Sequence, residues 1–339
     1  MKRIVSILLA LTLLIGTCMT FASCQKTKIK VNPDKEEYVV GICQLVQHPA
    51  LDQATKGFRD ALTAALEKEG RKVVFKENNA QGDSTTCSTI VNNFVADDVD
   101  LIMANATAAL QSAYNATETI PVLGTSITEY GVALEIENFD GVVGNNVSGT
   151  ADLAPLTEQA QMMVDILGLK AGAKIGLLYC SAEPNSKYQV EEVKKYLSGN
   201  GFACTEYPFA DSNDLPTITT AAANACDAIY VPTDNTVASN TTAIYNICSP
   251  AKVPVFAGEE GICSGCGFAT LCISYYNIGK KTGEMAAEVL LGKADITKLP
   301  IAYDETPVKK YNETICKELN IDTAALEAMG YVKIEVAED

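Results

Sequence analysis

Polar side chains cluster where the predicted strands of this 339-residue chain end. Thr107 follows the third predicted strand, and Thr125 and Ser126 follow the fourth. Hydroxyl groups beside helix N-termini bind anions without a cationic side chain, because the backbone N–H groups there are unpaired. Asp234 follows a strand of the second half and is suited to accept hydrogen bonds from an ammonium group. Together these residues predict a site for a zwitterion, with hydroxyl donors at one pole and a carboxylate at the other.

Each of these side chains also has a purely structural interpretation. Thr107 and Asp234 are equally suited to capping the helices that follow them. Tyr179 offers a flat apolar wall with a polar tip, and Asn79 suits either a turn or a ligand contact. His48 precedes a proline and is interpreted as a loop or structural histidine. The sequence leaves capping and ligand binding open at these positions.

The counts of residue types exclude several kinds of chemistry. The chain has one histidine, and its 26 Lys and Arg against 42 Asp and Glu give a net charge of −16. A zinc site built on several histidines is therefore impossible, and the acidic balance argues against a nucleic-acid partner. No metal, cofactor or enzymatic activity is expected.

The N-terminus has the features of an export signal. Two basic residues precede the apolar segment 4–16, which is too short to span a bilayer, so residues 1–23 are predicted to be a signal peptide. The end of this segment resembles a bacterial lipobox, which predicts lipidation at Cys24; the alternative is ordinary cleavage and a free protein. Residues 24–37 are expected to be a tether that holds the folded part at the outer face of the cytoplasmic membrane.

Apolar strands alternate with amphipathic helices along the rest of the chain. This alternation predicts parallel sheets covered on both faces, and the length favours two of them: two doubly wound, Rossmann-like α/β lobes with a ligand cleft between them. The Gly- and Asn-rich segment Asp140–Ser148 is typical of a crossover between lobes. The predicted N-terminal lobe comprises 38–145 plus 261–293, and the C-terminal lobe comprises 146–260 plus 294–339.

Several segments, in order along the chain, resemble the ABC-type solute-binding protein family that includes tryptophan and tyrosine transport binding proteins. The matching segments are 41–44, 48–52, 105–109, 120–122, 146–149, 174–179, 185–186, 231–235, 253–259 and 274–279. The resemblance implies the type I periplasmic binding protein fold, with three crossovers between the lobes. The end of the fourth strand (residues 125–130) and the pair Glu259–Glu260 depart from the family pattern, which leaves the side-chain selectivity open.

The resemblance also implies eight ligand contacts in the cleft. They are Thr107, Thr125 and Ser126 for a carboxylate, Asp234 for an amine, Tyr179 and Asn185 on the opposing lobe, and Gln44 and Asn79 at the rim. The expected function is that of a monomeric, lipid-anchored receptor that captures an amino acid, aromatic by family, through lobe closure and delivers it to an ABC permease.

Two alternatives remain open from the sequence. The same fold could bind a nucleoside, a purine or a sugar, although the absence of tryptophan removes the best stacking surface for a sugar ring. An exported thiol oxidoreductase would use the pair Cys263 and Cys266, but the neighbouring Glu259 and Glu260 disfavour the thiolate that such chemistry needs.

Overall fold

The computed structural model describes residues 28–303 and 306–335 of the chain. The predicted signal peptide and the lipidation at Cys24 lie outside these residues. Within the described ranges, no helix combines the length and apolar character needed to cross a membrane.

The first sheet contains six parallel strands in the order β11-β5-β4-β3-β1-β2. Its strands are β1 (Glu37–Gln44), β2 (Lys72–Asn79), β3 (Leu101–Asn105), β4 (Val122–Ile127), β5 (Val147–Ala151) and β11 (Ala302–Tyr303). The helices between and after these strands are α1 (Pro49–Lys68), α2 (Ser84–Ala96), α3 (Thr107–Ala116), α4 (Tyr130–Ala133) and α11 (Tyr275–Leu290). The central strands β3 and β4 are buried along their whole length, because helices cover both faces.

The second sheet contains seven strands in the order β13-β12-β10-β9-β8-β6-β7, parallel except for the β10–β12 pair. Its strands are β6 (Lys174–Cys180), β7 (Ala203–Phe209), β8 (Ala228–Val231), β9 (Val255–Ala257), β10 (Ala269–Cys272), β12 (Val308–Tyr311) and β13 (Val332–Lys333). The helices are α5 (Leu156–Leu167), α6 (Pro184–Gly199), α7 (Leu215–Ala225), α8 (Asn235–Ala238), α9 (Thr241–Ala251), α10 (Glu260–Cys266), α12 (Glu313–Glu318) and α13 (Thr323–Ala328), and a 3₁₀ turn spans Ile296–Lys298.

Both sheets repeat one doubly wound topology. The first five strands of each sheet lie in the spatial order 2-1-3-4-5, so the direction of winding reverses between the first and third strands. The chain passes to the second sheet after Ala151, returns after Cys272 and passes again between Tyr303 and Val308. In such sheets ligands bind beyond the carboxyl ends of the strands, at the point of reversal.

The predicted division of the chain differs from the sheet membership in three places. Segment 147–151 forms β5 of the first sheet, so the Gly- and Asn-rich segment before it is a loop and not a crossover between lobes. Strand β10, predicted in the N-terminal lobe, pairs with β9 of the second sheet, whereas β11, predicted in the C-terminal lobe, pairs with β5 of the first. The prediction failed because apolar runs identify strands without identifying their partners.

Two helices of the first lobe, α1 and α11, pack with unusually close backbones. A Cβ atom at Gly279 would lie 2.0 Å from the carbonyl oxygen of Ala54, so only glycine fits there. This contact attaches α11 firmly to the first lobe. It therefore places Tyr275, the first residue of α11, where the chain returns from the second lobe.

Candidate ligand-binding site

A small, nearly enclosed cavity lies between the carboxyl ends of the two sheets, where the topology predicts a ligand. Its lining includes Ser126, Thr128 and Asp152 of the first lobe and its crossover, and Asn185, Asp234 and Glu259 of the second. Five of these residues lie at the end of a strand or in the loop that follows it, and Asn185 lies in the first turn of α6. Three of the six carry carboxylates.

Neutral donors hold all three carboxylates. Asp152 lies on the first crossover, where it accepts hydrogen bonds from the Thr128 hydroxyl and the Tyr275 hydroxyl, both at 2.8 Å. Asp234 caps α8 and accepts from the backbone N–H of Val237 at 2.9 Å and of Cys180 at 2.7 Å. Glu259 caps α10 through the backbone N–H groups of the first helical turn. Among the lining residues that the structure describes there is no lysine or arginine.

Burial without a cation shifts the titration of these groups. It raises the pKa of Asp234 to about 8, and the nearby Glu183 carboxylate adds to the effect. Burial likewise raises the pKa of Glu259 to about 7, against the opposing effect of its backbone donors. The pKa of Asp152 is also raised by burial, although the two hydroxyl donors lower it in part. The cavity therefore has unmet affinity for a positive charge.

Two polar side-chain atoms of the cavity have no hydrogen-bond partner in the described structure. The Ser126 hydroxyl and the His48 Nδ1 atom are both buried and form no hydrogen bond. An unpaired buried polar group is costly unless a ligand or water satisfies it. These atoms indicate where a ligand contributes hydrogen-bonding groups.

A bulge in β4 determines which hydroxyl faces the cavity. The pairing of β4 with β5 shifts between Gly124 and Ile127, and Ser126 has a left-handed backbone with φ of 58°. Such a backbone is costly for a residue other than glycine and is found mainly where function requires it. Ser126 therefore lines the cavity, whereas the Thr125 hydroxyl lies 3.2 Å from the hydroxyl of Thr150 inside the first lobe.

Other predicted ligand contacts do not line the cavity. The Tyr179 hydroxyl donates to Glu206 at 2.8 Å, and its ring packs in the core of the second lobe with Leu156 and Leu177. The expectation that Tyr179 forms a wall of the cleft is therefore wrong. Thr107 is buried at the first turn of α3 and is not among the lining residues, so its ligand contact stays a prediction.

Gln44 and Asn79 lie in a separate, open groove between α1 and β2. The Gln44 amide binds Asp52 at 2.7 Å and Thr55 at 2.6 Å, which anchors the start of α1 to the end of β1. Asn79 accepts a hydrogen bond from the backbone N–H of Gln81 and so forms a turn. Both side chains have structural roles here, and the structure does not bring them to the cavity rim.

Four residues line the cavity that were not predicted as ligand contacts from the sequence. Asp152 and Tyr275 lie on the crossovers, and the predicted crossover Asp140–Ser148 overlaps the strand that precedes Asp152. Glu259 was noted only as a departure from the family pattern, and His48 was taken as structural. All four follow strands or begin helices near the point where the topology reverses, which is the signal that could have identified them.

The Cys263–Cys266 pair does not have the environment of a redox site. Both thiols are buried within α10, and burial raises the pKa of each well above that of a free cysteine. A reactive cysteine requires the opposite shift. The ten cysteines of the described ranges are free thiols, and most are buried in the cores as small apolar residues.

Two doubly wound lobes that enclose a small polar cavity define a binding protein that captures its ligand between them. A family model described as "ABC transporter substrate binding protein" matches residues 39–327. The chain therefore belongs to the family of ABC transporter substrate-binding proteins, which act outside the cytoplasm. This confirms the predicted family and the periplasmic binding protein fold.

Known relatives agree with this assignment. The chain is 34% identical to a protein named "Tyrosine-binding protein" from Clostridioides difficile, over 98% of this chain and 96% of the relative. A solved structure from Streptococcus pneumoniae in complex with L-Trp is 31% identical, with a TM-score of 0.78 and coverage of 87% of this chain and all of that one. An open, ligand-free substrate-binding protein from Clostridium difficile is 36% identical over 88% of this chain and all of that one, but its TM-score is only 0.65. The TM-score is higher for the relative solved with its ligand than for the open relative, although the sequence identity is lower. This is the result expected of a structure whose lobes are closed.

The raised pKa of Asp234 predicts how stability depends on pH. Because this group holds its proton more tightly in the folded protein than in the unfolded chain, it stabilises the fold at low pH, and the contribution is lost as pH rises to about 8. We expect the Tm of the ligand-free protein to fall between pH 6.5 and 8, and to fall less in Asp234→Asn.

The matched control is Asp60→Asn. Asp60 is exposed, and Lys56 holds its pKa below the ordinary value, so this group is ionised throughout the range. Asp60→Asn should retain the wild-type slope of Tm against pH. The buried thiols contribute equally to this slope in the wild type and in both variants. An identical slope in Asp234→Asn and wild type, measured by scanning calorimetry, would contradict the prediction.

Proposed function

We propose that the protein captures a zwitterionic aromatic amino acid between its lobes and delivers it to the permease of an ABC importer. The observation that carries this proposal is the cavity with three buried carboxylates, unpaired polar side chains and no lining cation in the described residues. The names of the relatives support the ligand class, since one is a tyrosine-binding protein and another was solved with L-Trp.

The poles of the ligand are assigned by charge. The α-ammonium group lies toward Asp152, Asp234 and Glu259, because charge-assisted hydrogen bonds are stronger than neutral ones and this cation relieves the buried negative charge. The α-carboxylate accepts a hydrogen bond from the Ser126 hydroxyl, which has no other partner. Asn185 completes the polar lining from the second lobe. Among the described residues, no group of three or more His, Cys, Asp or Glu side chains is placed to hold a metal ion.

Capture proceeds by closure of the lobes. His48 of the first lobe and Asn235 of the second lie 3.2 Å apart across the cavity, so this contact exists only when the lobes are together. A ligand that binds side chains of both lobes shifts the population toward this closed state. The permease then receives a ligand that is enclosed until the lobes separate.

The protein acts as a monomer on the outer side of the membrane, held by a lipid on Cys24. The support for the anchor is the lipobox-like segment that ends at this cysteine. Several acyl chains on one cysteine hold a protein stably where a single chain is marginal. Globomycin, which blocks lipoprotein signal peptidase, would leave an unprocessed precursor if this anchor exists.

The ligand class is tested by thermal shift with the 20 amino acids, adenosine, guanine and glucose. A ligand at 100 times its Kd adds about 2.7 kcal/mol to the free energy of unfolding, which corresponds to a Tm increase of about 4 °C in a protein of this size. We expect such an increase with aromatic L-amino acids. A larger increase with adenosine, guanine or glucose, or none with any amino acid, would refute the proposal.

The carboxylate pole is tested by Ser126→Gly. Glycine accepts the left-handed backbone without strain, so the free energy of unfolding should stay the same or rise by up to about 1 kcal/mol. Loss of the hydroxyl should nevertheless weaken amino-acid binding at least about 10-fold, since hydrogen bonds to charged groups are strong.

The control is Gln81→Gly, because Gln81 has a similar φ of 56° and lies away from the cavity. Gln81→Gly should change the free energy of unfolding in the same direction as Ser126→Gly does. Calorimetry should show that its Kd for the amino acid is unchanged. Unchanged affinity in Ser126→Gly would remove this hydroxyl from the site.

A further inference from the structure

The ring of His48 lies in the cavity wall with one nitrogen bonded and the other free. The side chain is only 6% exposed. Its Nε2 atom lies 3.2 Å from Oδ1 of Asn235, and its Nδ1 atom is buried without a partner. The ring does not cap α1, although His48 occupies the capping position before Pro49. No structural role in the described residues therefore accounts for Nδ1.

A carboxylate of the second lobe fixes the orientation of the Asn235 amide. The Asn235 Nδ2 atom donates to Glu183 Oε2 at 2.7 Å, and its backbone N–H donates to the same oxygen at 3.0 Å. The other Glu183 oxygen accepts from the backbone and hydroxyl of Thr236. Because an ionised carboxylate only accepts, the amide nitrogen must face Glu183 and the amide oxygen must face His48.

This orientation determines the tautomer of His48. The Asn235 oxygen is an acceptor, so Nε2 of His48 must carry the hydrogen. A neutral imidazole has one N–H group, and Nδ1 is therefore an acceptor with a free lone pair. Burial lowers the pKa of His48 below its ordinary value and keeps the ring neutral, although Glu183 and Asp52 act in the opposite direction.

We infer that His48 is a specificity-determining residue whose Nδ1 atom accepts a hydrogen bond from an N–H or O–H group on the side chain of the ligand. This inference rests on the proposed function. The α-ammonium is not the donor, because Asp152, Asp234 and Glu259 offer it ionic partners that a neutral ring nitrogen does not match. The hydroxyl of tyrosine and the indole N–H of tryptophan satisfy this requirement, whereas phenylalanine has no such group.

The cost of the missing donor sets the expected selectivity. Phenylalanine would occupy the same position and leave Nδ1 buried and unpaired. Leaving one buried acceptor unsatisfied corresponds to about a 10- to 100-fold loss of affinity. Sites that bind a ligand hydroxyl or N–H group discriminate by this mechanism more strongly than apolar pockets do.

The experiment measures Kd for tyrosine, tryptophan and phenylalanine by calorimetry in the wild type and two variants. In His48→Gln the longer amide reaches the position of Nε2 and can still donate to Asn235, but nothing replaces Nδ1. In His48→Asn the shorter amide places an oxygen near the position of Nδ1 and loses the contact with Asn235. Circular dichroism and Tm establish that each variant is folded.

We expect the wild type to bind its preferred donor-bearing ligand at least 10-fold more tightly than phenylalanine. His48→Gln should reduce this ratio to about 3-fold or less with little change in the Kd of phenylalanine, and His48→Asn should retain most of the ratio. Three results would overturn the inference while the proposed function stands. The wild type could bind all three amino acids equally, the affinity ratio could be unchanged in His48→Gln, or both variants could lose the affinity ratio to the same extent. Failure of all three ligands to bind would instead refute the proposed function and the inference with it.

Discussion

The burial of three carboxyl groups without a neighbouring cation among the described residues is the constraint on which the binding site depends. Asp152, Asp234 and Glu259 are buried together and are held by hydroxyl and backbone N–H donors, while the cavity lining of the described chain supplies no cation. Neutral donors offset only part of the cost of burying a carboxylate, and the raised pKa values of these groups are the consequence. Under the proposed function, an entering ammonium group would supply the missing counter-charge, and the closed state would be stabilised by the ligand that it encloses.

The same residues connect ligand binding with the position of the lobes. Asp152 and Tyr275 lie on two different crossovers and are joined by a hydrogen bond of 2.8 Å, so a ligand that contacts Asp152 acts directly on the hinge. On the far side of the cavity, His48 and Asn235 join the lobes themselves. The His48–Asn235 contact requires the lobes to be together, which is the kind of difference between states that a ligand-driven population shift requires.

Much of the fold could be predicted from the sequence, because buried parallel strands are continuous apolar runs of recognisable length. The two predicted doubly wound lobes are confirmed. The partner sheets of β5 and β10 could not be predicted, since pairing is a long-range property. Of the predicted ligand contacts, Ser126, Asn185 and Asp234 line the cavity, and their contact with a ligand stays a prediction. A bulge turns Thr125 inward and a core contact holds Tyr179, and neither effect is visible in residue type or spacing.

The central claim is that buried carboxylates bind the ammonium group of the ligand. The most direct measurement compares the Kd of tyrosine with that of 3-(4-hydroxyphenyl)propionate, which lacks only the amino group and introduces no steric clash. Removing one partner of a buried charge pair costs about 2–5 kcal/mol, so we predict that the des-amino compound binds at least about 30-fold more weakly. Equal affinity for the two compounds would contradict this account of the cavity.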